Sequence, residues 1–441
     1  MKKRNTAREA ALTALSRCRR DGAWSAQAID AAIREYHLDP RDAALTSRLC
    51  LGVLQNTSLL DYYLAQFCQR KPEPKVQDIL RLGAYQLLMM DKIPGRAAVN
   101  ESVDLCRAMG NERAGGLVNA VLRRISENRA HLPEIPRPDI AQYLAIRYSH
   151  PKWLAERIIR EHDAAFAEAF FAANNRPQGL TIQVNTLKID PEEYQRTLDR
   201  KEIAYETFPG IPGCLHLQGG TVSDLPGYEE GLFFVQDRAA RSAVLAAGPR
   251  PGMRVLDTCA APGGKSFAAA MEMKNEGTIL SCDLHEKKLR LIDAGAERLG
   301  IGILETMARD AREEKPDWIG AFDLVMTDVP CSGLGVIGKR PEIRWKSEEE
   351  LSALPDIQAA IMDRAASFVR PGGVLLYSTC TVLDAENGEQ IHRFLARHPE
   401  YQAEEFQVGD WESRDGMLAF WPHIHGTDGF FAAKLRRKQD G

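Results

Sequence analysis

After Gln236, short apolar runs alternate with amphipathic stretches, and an acid or a thiol repeatedly stands where a run closes. Val255-Leu-Asp257 leads into a glycine turn, Thr278 to Cys282 ends at Asp283, and Ile303 to Met307 is followed by Asp310. Phe322 to Thr327 ends at Asp328-Val-Pro-Cys331, and Val374 to Tyr377 ends at Ser378-Thr-Cys380. Regular strand-helix alternation predicts a parallel α/β sheet of the doubly wound, Rossmann-like kind, covered by helices on both faces. Such sheets bind ligands outside the carboxyl ends of their strands, where these five side groups fall. Met417 to Phe420 and Gly429 to Leu435 read as closing antiparallel strands around His423-Ile-His425, two histidines expected in a turn and not as ligands.

The rest of the chain reads differently. At 441 residues it exceeds one ordinary core, and about three domains are expected. Residues 1–130 read as all-helical: Thr6-Ala-Arg-Glu9 is a capping box, and Val76, Ile79, Leu80, Gly83, Ala84, Leu87 and Leu88 recur along one helical face. Asp91-Lys-Ile-Pro-Gly95 ends that helix, and two more follow around 97–109 and 113–125. Prolines 133, 136 and 138 make 131–139 a semi-rigid linker. Residues 139–235 read as a small α+β module, with a helix capped by Ser149, a strand over 180–187, an acidic helix and a strand over 214–217. Residues 236–441 form the α/β domain.

Charge is distributed unevenly. Residues 1–130 carry 21 Lys and Arg against 14 Asp and Glu, a net +7, and the remainder carries −11. A basic module on an acidic body fits a polyanionic partner gripped by the first domain, although a solvated helical surface gives the same count. Nine scattered cysteines without a C-x-x-C pair or histidines at zinc spacing indicate neither a disulfide framework nor a metal site, and fit a reducing cytoplasm. No run of apolar residues is long enough for a bilayer, and Arg8 and Glu9 interrupt what would be a signal-like start, so no membrane partner is expected.

The turn Asp257-Thr-Cys259-Ala260-Ala261-Pro262-Gly263-Gly264-Lys265 opens a helix after a buried strand, where glycines let a ligand approach the backbone. It is not a Walker loop, since Cys259 stands where the first glycine belongs, and G-x-G-x-x-G is absent. Asp283, 19 residues past Gly264, occupies the position of an acid that holds ribose hydroxyls, and Asp310 is placed for an adenine amine. An adenosine cofactor without phosphates is implied, hence S-adenosylmethionine, with Lys265 available to its carboxylate. Cys259 lines the same pocket.

Two thiols at the ligand edge complete the pattern. Carbon 5 of cytosine is a weak nucleophile until a thiolate adds to carbon 6, and a carboxyl near ring nitrogen 3, here Asp328, assists by protonation. Afterwards the carbon 5 proton must leave so that the sulfur can depart. Cys331 and Cys380 both suit the nucleophile, and spacing does not rank them. Cys18, Cys50, Cys68, Cys106, Cys214 and Cys282 read as small buried hydrophobes.

Asp257-Thr-Cys-Ala-Ala-Pro-Gly-Gly-Lys-Ser266, Asp328-Val-Pro-Cys-Ser-Gly333 and Tyr377-Ser-Thr-Cys380 with Glu386-Asn387 resemble the signatures of the RNA cytosine-C5 methyltransferases. The whole chain is similar to their Sun/RsmB branch, the bacterial 16S ribosomal RNA methyltransferases with a NusB-like N-terminal domain. Ala97 to Cys106 and Gly116 to Arg124 resemble the last helices of that domain, while Val184-Asn-Thr-Leu-Lys188 and Val235 to Ala240 resemble the middle module and its junction. The resemblance implies Cys380 as nucleophile, Cys331 as the residue that assists release, and cofactor contacts from Cys259 to Lys265 and from Asp283, Asp310 and Asp328. It implies a small-subunit RNA or an assembling particle as partner and a monomer as the working form. Gln183 departs from the pattern, where a basic residue is expected for an RNA contact. The alternatives are methylation of 23S or transfer RNA and a non-catalytic assembly factor. An amino methyltransferase is disfavoured because Asp328-Val-Pro-Cys331 replaces the [DN]-P-P-[YF] clamp.

Overall fold

The computed structural model describes residues 6–68, 70–218 and 222–439 and divides into two compact units: residues 1–176 with Ile337–Glu348, and residues 177–336 with 349–441. The helices over 140–174, read from sequence as part of the middle module, group with the first unit on this criterion.

The first unit is helical. Its central helix, Pro74–Met89, is buried on all sides from Val76 to Leu87, not only along the expected apolar face. Pairing makes this possible: Arg81 bonds Asp78 at 2.9 Å and Asp61 at 2.5 Å, so its charge enters the interior with partners. The helices Gly95–Ala108 and Gly115–Glu127 follow, and 131–139 is without regular structure. The capping box falls on Thr6, whose side chain lies outside the described residues. Ser149 does not cap the helix Lys152–Glu161, which begins after Pro151 with no side-chain cap. At φ 53° its hydroxyl instead accepts the Leu59 N–H at 3.1 Å, in the first turn of the helix Thr57–Phe67.

Residues Ile337–Glu348 belong to this unit although the chain on either side belongs to the other. Arg344 holds them there. Its Nη1 donates to the carbonyls of Gln55, Tyr148 and Ser149 at 2.8, 2.9 and 3.0 Å, and its Nη2 to Asn175 Oδ1 at 2.6 Å. Burial pushes this guanidinium down to about 9. Glu342 accepts the Ser25 N–H, and Trp153 donates to the Lys346 carbonyl.

The second unit holds two sheets. The smaller is antiparallel, in the order β2-β3-β1-β4, from β1 (Leu180–Val184), β2 (Glu206–Thr207), β3 (Cys214–Leu217) and β4 (Phe233–Val235). Asn185, just past β1, donates to the carbonyls of Gly231 and Leu299, both at 2.8 Å, which ties this module to the larger domain.

The larger sheet contains β5 (Arg254–Asp257), β6 (Thr278–Asp283), β7 (Leu304–Ala308), β8 (Phe322–Asp328) and β9 (Val369–Thr379), all parallel, in the order β9-β8-β5-β6-β7. It is extended antiparallel by β14 (Phe430–Arg437), which also pairs β10 (Tyr401–Ala403) and β13 (Met417–Phe420); β11 (Gln407–Val408) and β12 (Trp411–Glu412) form a separate ribbon. Both faces are covered: Leu324 and Met326 of β8 join one core cluster, and Val325 between them joins the other. Chain order reverses between β5 and β8, so the crevice at their carboxyl ends is the topological switch point.

Because removing Arg344 strands buried carbonyls, Arg344→Met is expected to destabilise the full chain by about 3 kcal/mol or more. Urea denaturation measures it, and an unchanged midpoint contradicts the assignment.

Candidate active site at the switch point

Parallel pairing of β8 with β9 sets Asp328 opposite Ser378, and the Ser378 hydroxyl donates to Asp328 Oδ1 at 2.8 Å. Each strand then continues for a few residues to a cysteine, and the two sulfurs, Cys331 Sγ and Cys380 Sγ, lie 3.3 Å apart. Both thiols are half-buried. Close backbone contact beneath them needs Gly335: its N–H donates to the Cys380 carbonyl at 3.0 Å, and a Cβ there would lie 1.8 Å from the Gly429 carbonyl oxygen. The hydrogen bond with Cys380 and burial raise the Cys331 thiol well above its ordinary range, and the negative charges of Glu386 and Asp328 add to the effect.

Lys265, in the first turn of the helix Gly264–Glu272, bonds Asp328 Oδ2 at 2.7 Å. Its ammonium is only 11% exposed, yet it is held above the ordinary lysine value, because burial opposes the charge and Asp328 more than offsets it. Lys265, expected from sequence at a cofactor carboxylate, thus sits between that role and Asp328.

The glycine turn is held by short backbone bonds, with Ala260 N–H on the Cys282 carbonyl and Gly263 N–H on Ala260, both at 2.7 Å. Gly263 has φ +106°, where a side chain is strained, and a Cβ there would meet the Phe267 ring at 2.5 Å. Asp283 accepts the Ala261 N–H at 3.3 Å and the His285 N–H at 2.9 Å, joining the turn to the end of β6. Asp310 accepts from the Arg312 side chain and backbone N–H, which hold its carboxyl down at about 2.

Thr258, Cys259, Asp283 and Asp310 line one cavity of about 360 Å³, walled also by Leu284, Pro330, Ile357 and Ile361. Asp283 and Asp310 beside aliphatic walls suit a nucleoside, with ring surface against the aliphatic side chains and hydroxyls against Asp283, while Lys288, Arg309 and Arg312 also line the cavity and Arg312 pairs with Asp310. Pro262 and Gly264, expected in the same contact set, line instead a larger open cavity of about 980 Å³ with Phe234, Val235, Leu291 and Arg298. Leu284, Lys288, Ile357 and Ile361 were not anticipated; only the adjacency of Leu284 to Asp283 was available as a signal.

The other expectations fall out unevenly. Cys18, Cys50, Cys106, Cys214 and Cys282 are buried, but Cys68, past the end of its helix, is half-buried. Gln183 is inside the small module, where its amide donates to Cys214 Sγ and to the Gln236 carbonyl, both at 3.2 Å. The histidines 423 and 425 lie in the short helical turn Pro422–His425, and among the described residues no group of side chains has metal-ligand geometry. Among those residues, too, no helix is long and apolar enough to cross a membrane.

Asp257, at the end of β5, was not assigned a role. Its Oδ2 accepts from Ser266 at 2.7 Å, Ser281 donates to Ser266 at 2.8 Å, and Oδ1 is buried without a hydrogen-bond partner. Burial pushes this carboxyl up to about 7. An unfolded aspartate ionises near pH 4, so between about 4 and 7 the native chain keeps a proton that the unfolded chain has lost. Stability contributed by Asp257 therefore falls as pH rises through that window. Asp257→Asn removes the titration, so its melting temperature relative to the unsubstituted chain should rise from pH 5 to pH 8, by the equivalent of roughly 3 kcal/mol; parallel melting curves at the two pH values contradict this.

Three family models match successive parts of the chain: the NusB family over residues 5–127, the ferredoxin-like domain of RsmF/B-like methyltransferases over 150–223, and the 16S rRNA methyltransferase RsmB/F over 244–436. A probable ribosomal RNA small subunit methyltransferase B of Bacillus subtilis is 34% identical over 447 residues, covering 99% of this chain and 100% of the relative. The ribosomal RNA small subunit methyltransferase B of Yersinia pseudotuberculosis is 32% identical, covering 93% and 95%. Among solved structures, PH0851 superposes with a TM-score of 0.84 at 27% identity, covering 99% of this chain and 100% of its own. NSun6 of Pyrococcus horikoshii, solved with SFG, shares the fold over 66% of this chain and 99% of its own, with a TM-score of 0.61 at 24% identity. With a NusB-like helical domain, a small middle module and a Rossmann-like methyltransferase domain in that order, the chain belongs to the RsmB family of ribosomal RNA methyltransferases.

Proposed function

We propose that the protein transfers a methyl group from S-adenosylmethionine to carbon 5 of a cytosine in 16S ribosomal RNA, through a covalent bond between Cys380 and carbon 6. One observation carries the reading: two thiols 3.3 Å apart, just past the ends of β8 and β9, with Pro330 beside Cys331 also lining the nucleoside-sized cavity. The names of the relatives, which specify the small subunit, favour 16S over other RNA. In this reading 1–130 and 139–235 engage RNA, 236–441 performs the chemistry, and the protein works in the cytoplasm as a monomer.

Asp283 and Asp310 would hold the adenosine part of the cofactor, and the turn from Cys259 to Lys265 the remainder. The residues present fit that group: Asp283 and Asp310 at a cavity with aliphatic walls, and glycine backbone at the turn. When bound, it supplies a methyl on a sulfonium, an electrophile. The protein's own groups do the rest. The Cys380 thiolate forms a carbon–sulfur bond at carbon 6, Asp328 faces ring nitrogen 3, and electron density moves to carbon 5, which becomes nucleophilic. Carbon 5 takes the methyl, leaving a neutral thioether; the carbon 5 proton then passes to solvent, the ring double bond re-forms, and the carbon–sulfur bond breaks with its electron pair returning to Cys380 Sγ. Cys331, held protonated beside Cys380, is placed to assist that release.

Cys380→Ala should abolish 5-methylcytosine formation on unmodified 16S RNA. Cys331→Ala should still attack but release slowly, so protein bound covalently to RNA accumulates on a denaturing gel. Adduct accumulation by Cys380→Ala, with none in Cys331→Ala, reverses the two roles.

A further inference from the structure

Cys331 and Cys380 lie past the last paired residues of β8 and β9, so pairing of the two strands does not by itself set the distance between the sulfurs. A buried network does. Glu386, 2% exposed in the turn Asp384–Glu386, accepts the Ser332 N–H on Oε2 at 2.9 Å and the Gln358 amide on the same oxygen at 2.7 Å. Its Oε1 accepts the Thr381 hydroxyl at 3.3 Å. Ser332 and Thr381 directly follow Cys331 and Cys380, and their hydroxyls share a hydrogen bond of 2.6 Å. Gln358 also donates to the Pro330 carbonyl at 3.0 Å, gripping the first loop on the other side of its cysteine. The backbone of Glu386 is fixed in turn, since its carbonyl accepts the Tyr377 hydroxyl at 2.7 Å.

We propose that Glu386 is the positioning residue of the two-cysteine site: its carboxylate ties the residue after each cysteine to one point and so fixes the spacing at which one sulfur holds the base while the other assists its release. This rests on the covalent reading above. Three donors, two of them from the cysteine loops, converge on the Glu386 carboxylate, and such a network is strong when complete and costly when broken. An error of about 1 Å in the placement of reacting groups lowers turnover by up to roughly a hundredfold, whereas Asp283 and Asp310 make none of these bonds and their cavity shares only Pro330 with the network.

The test separates bonding from packing. Thr381 is fully buried, and valine matches its shape without the hydroxyl, while serine keeps the hydroxyl without the methyl. Positioning through the network predicts that Thr381→Val loses at least about tenfold in kcat while Thr381→Ser stays within about threefold, with KM for RNA and for S-adenosylmethionine steady in both. A packing role predicts the reverse order, and that order overturns the inference. Glu386→Gln can turn its carbonyl oxygen to Ser332 and its amide to Thr381, so it should retain turnover where Glu386→Met loses it. If Glu386→Met does not fold, the Thr381 pair decides. Equal methylation by all variants sinks the positioning role alone; an unsubstituted protein that makes no 5-methylcytosine sinks it together with the proposed function.

Discussion

Parallel pairing of β8 with β9, in the register that sets Asp328 against Ser378, is the interaction on which the site depends. A side chain's direction in a strand alternates with period two, so a slip of one residue would turn Asp328 and the start of each cysteine loop to the other face of the sheet. The register is secured beyond the ladder: Thr327 donates to the Leu376 carbonyl at 2.8 Å, and Ser378 to Asp328 at 2.8 Å. Burial on both faces adds to this, because Val325 and Leu375 pack into one cluster while Met326 and Leu376 pack into the other.

The electrostatics beside the thiols centre on Lys265 and Asp328. Asp328 and Glu386 act on the Cys331 thiol, and Lys265, in the glycine-turn helix, interacts with Asp328, Asp257 and Cys380. Lys265 is committed to Asp328, Glu386 is satisfied by neutral donors, and Asp257 is left with one unpartnered oxygen and a raised affinity for its proton.

The sequence was legible where periodicity and local chemistry agree. All five parallel strands were predicted with carboxyl ends within two residues of those observed, because their apolar runs are short and continuous and close on polar groups, even at the edge strand β7, which is largely exposed. Fold topology put both cysteines at the carboxyl edge of the sheet, and their contact depends on β8 lying beside β9. What sequence did not reveal depends on partners distant along the chain. Ser149 has the look of a local cap and serves another helix through Leu59. The helix Pro74–Met89 shows one apolar face, yet its polar side is buried because Asp61 reaches Arg81. Arg344 received no reading from sequence, and its four partners come from positions 55, 148, 149 and 175. Glu386 stood in a recognised motif without a role, since nothing local links it to Ser332 or Gln358.

The central claim is that Cys380, not Cys331, forms the bond to the base. The most direct measurement uses a target RNA carrying 5-fluorocytosine, which has no carbon 5 proton to lose and therefore traps the adduct. After digestion of the trapped complex, mass spectrometry of the peptides locates the nucleotide. The account predicts it on the peptide containing Cys380, with Cys331 unmodified; a nucleotide on Cys331 contradicts it.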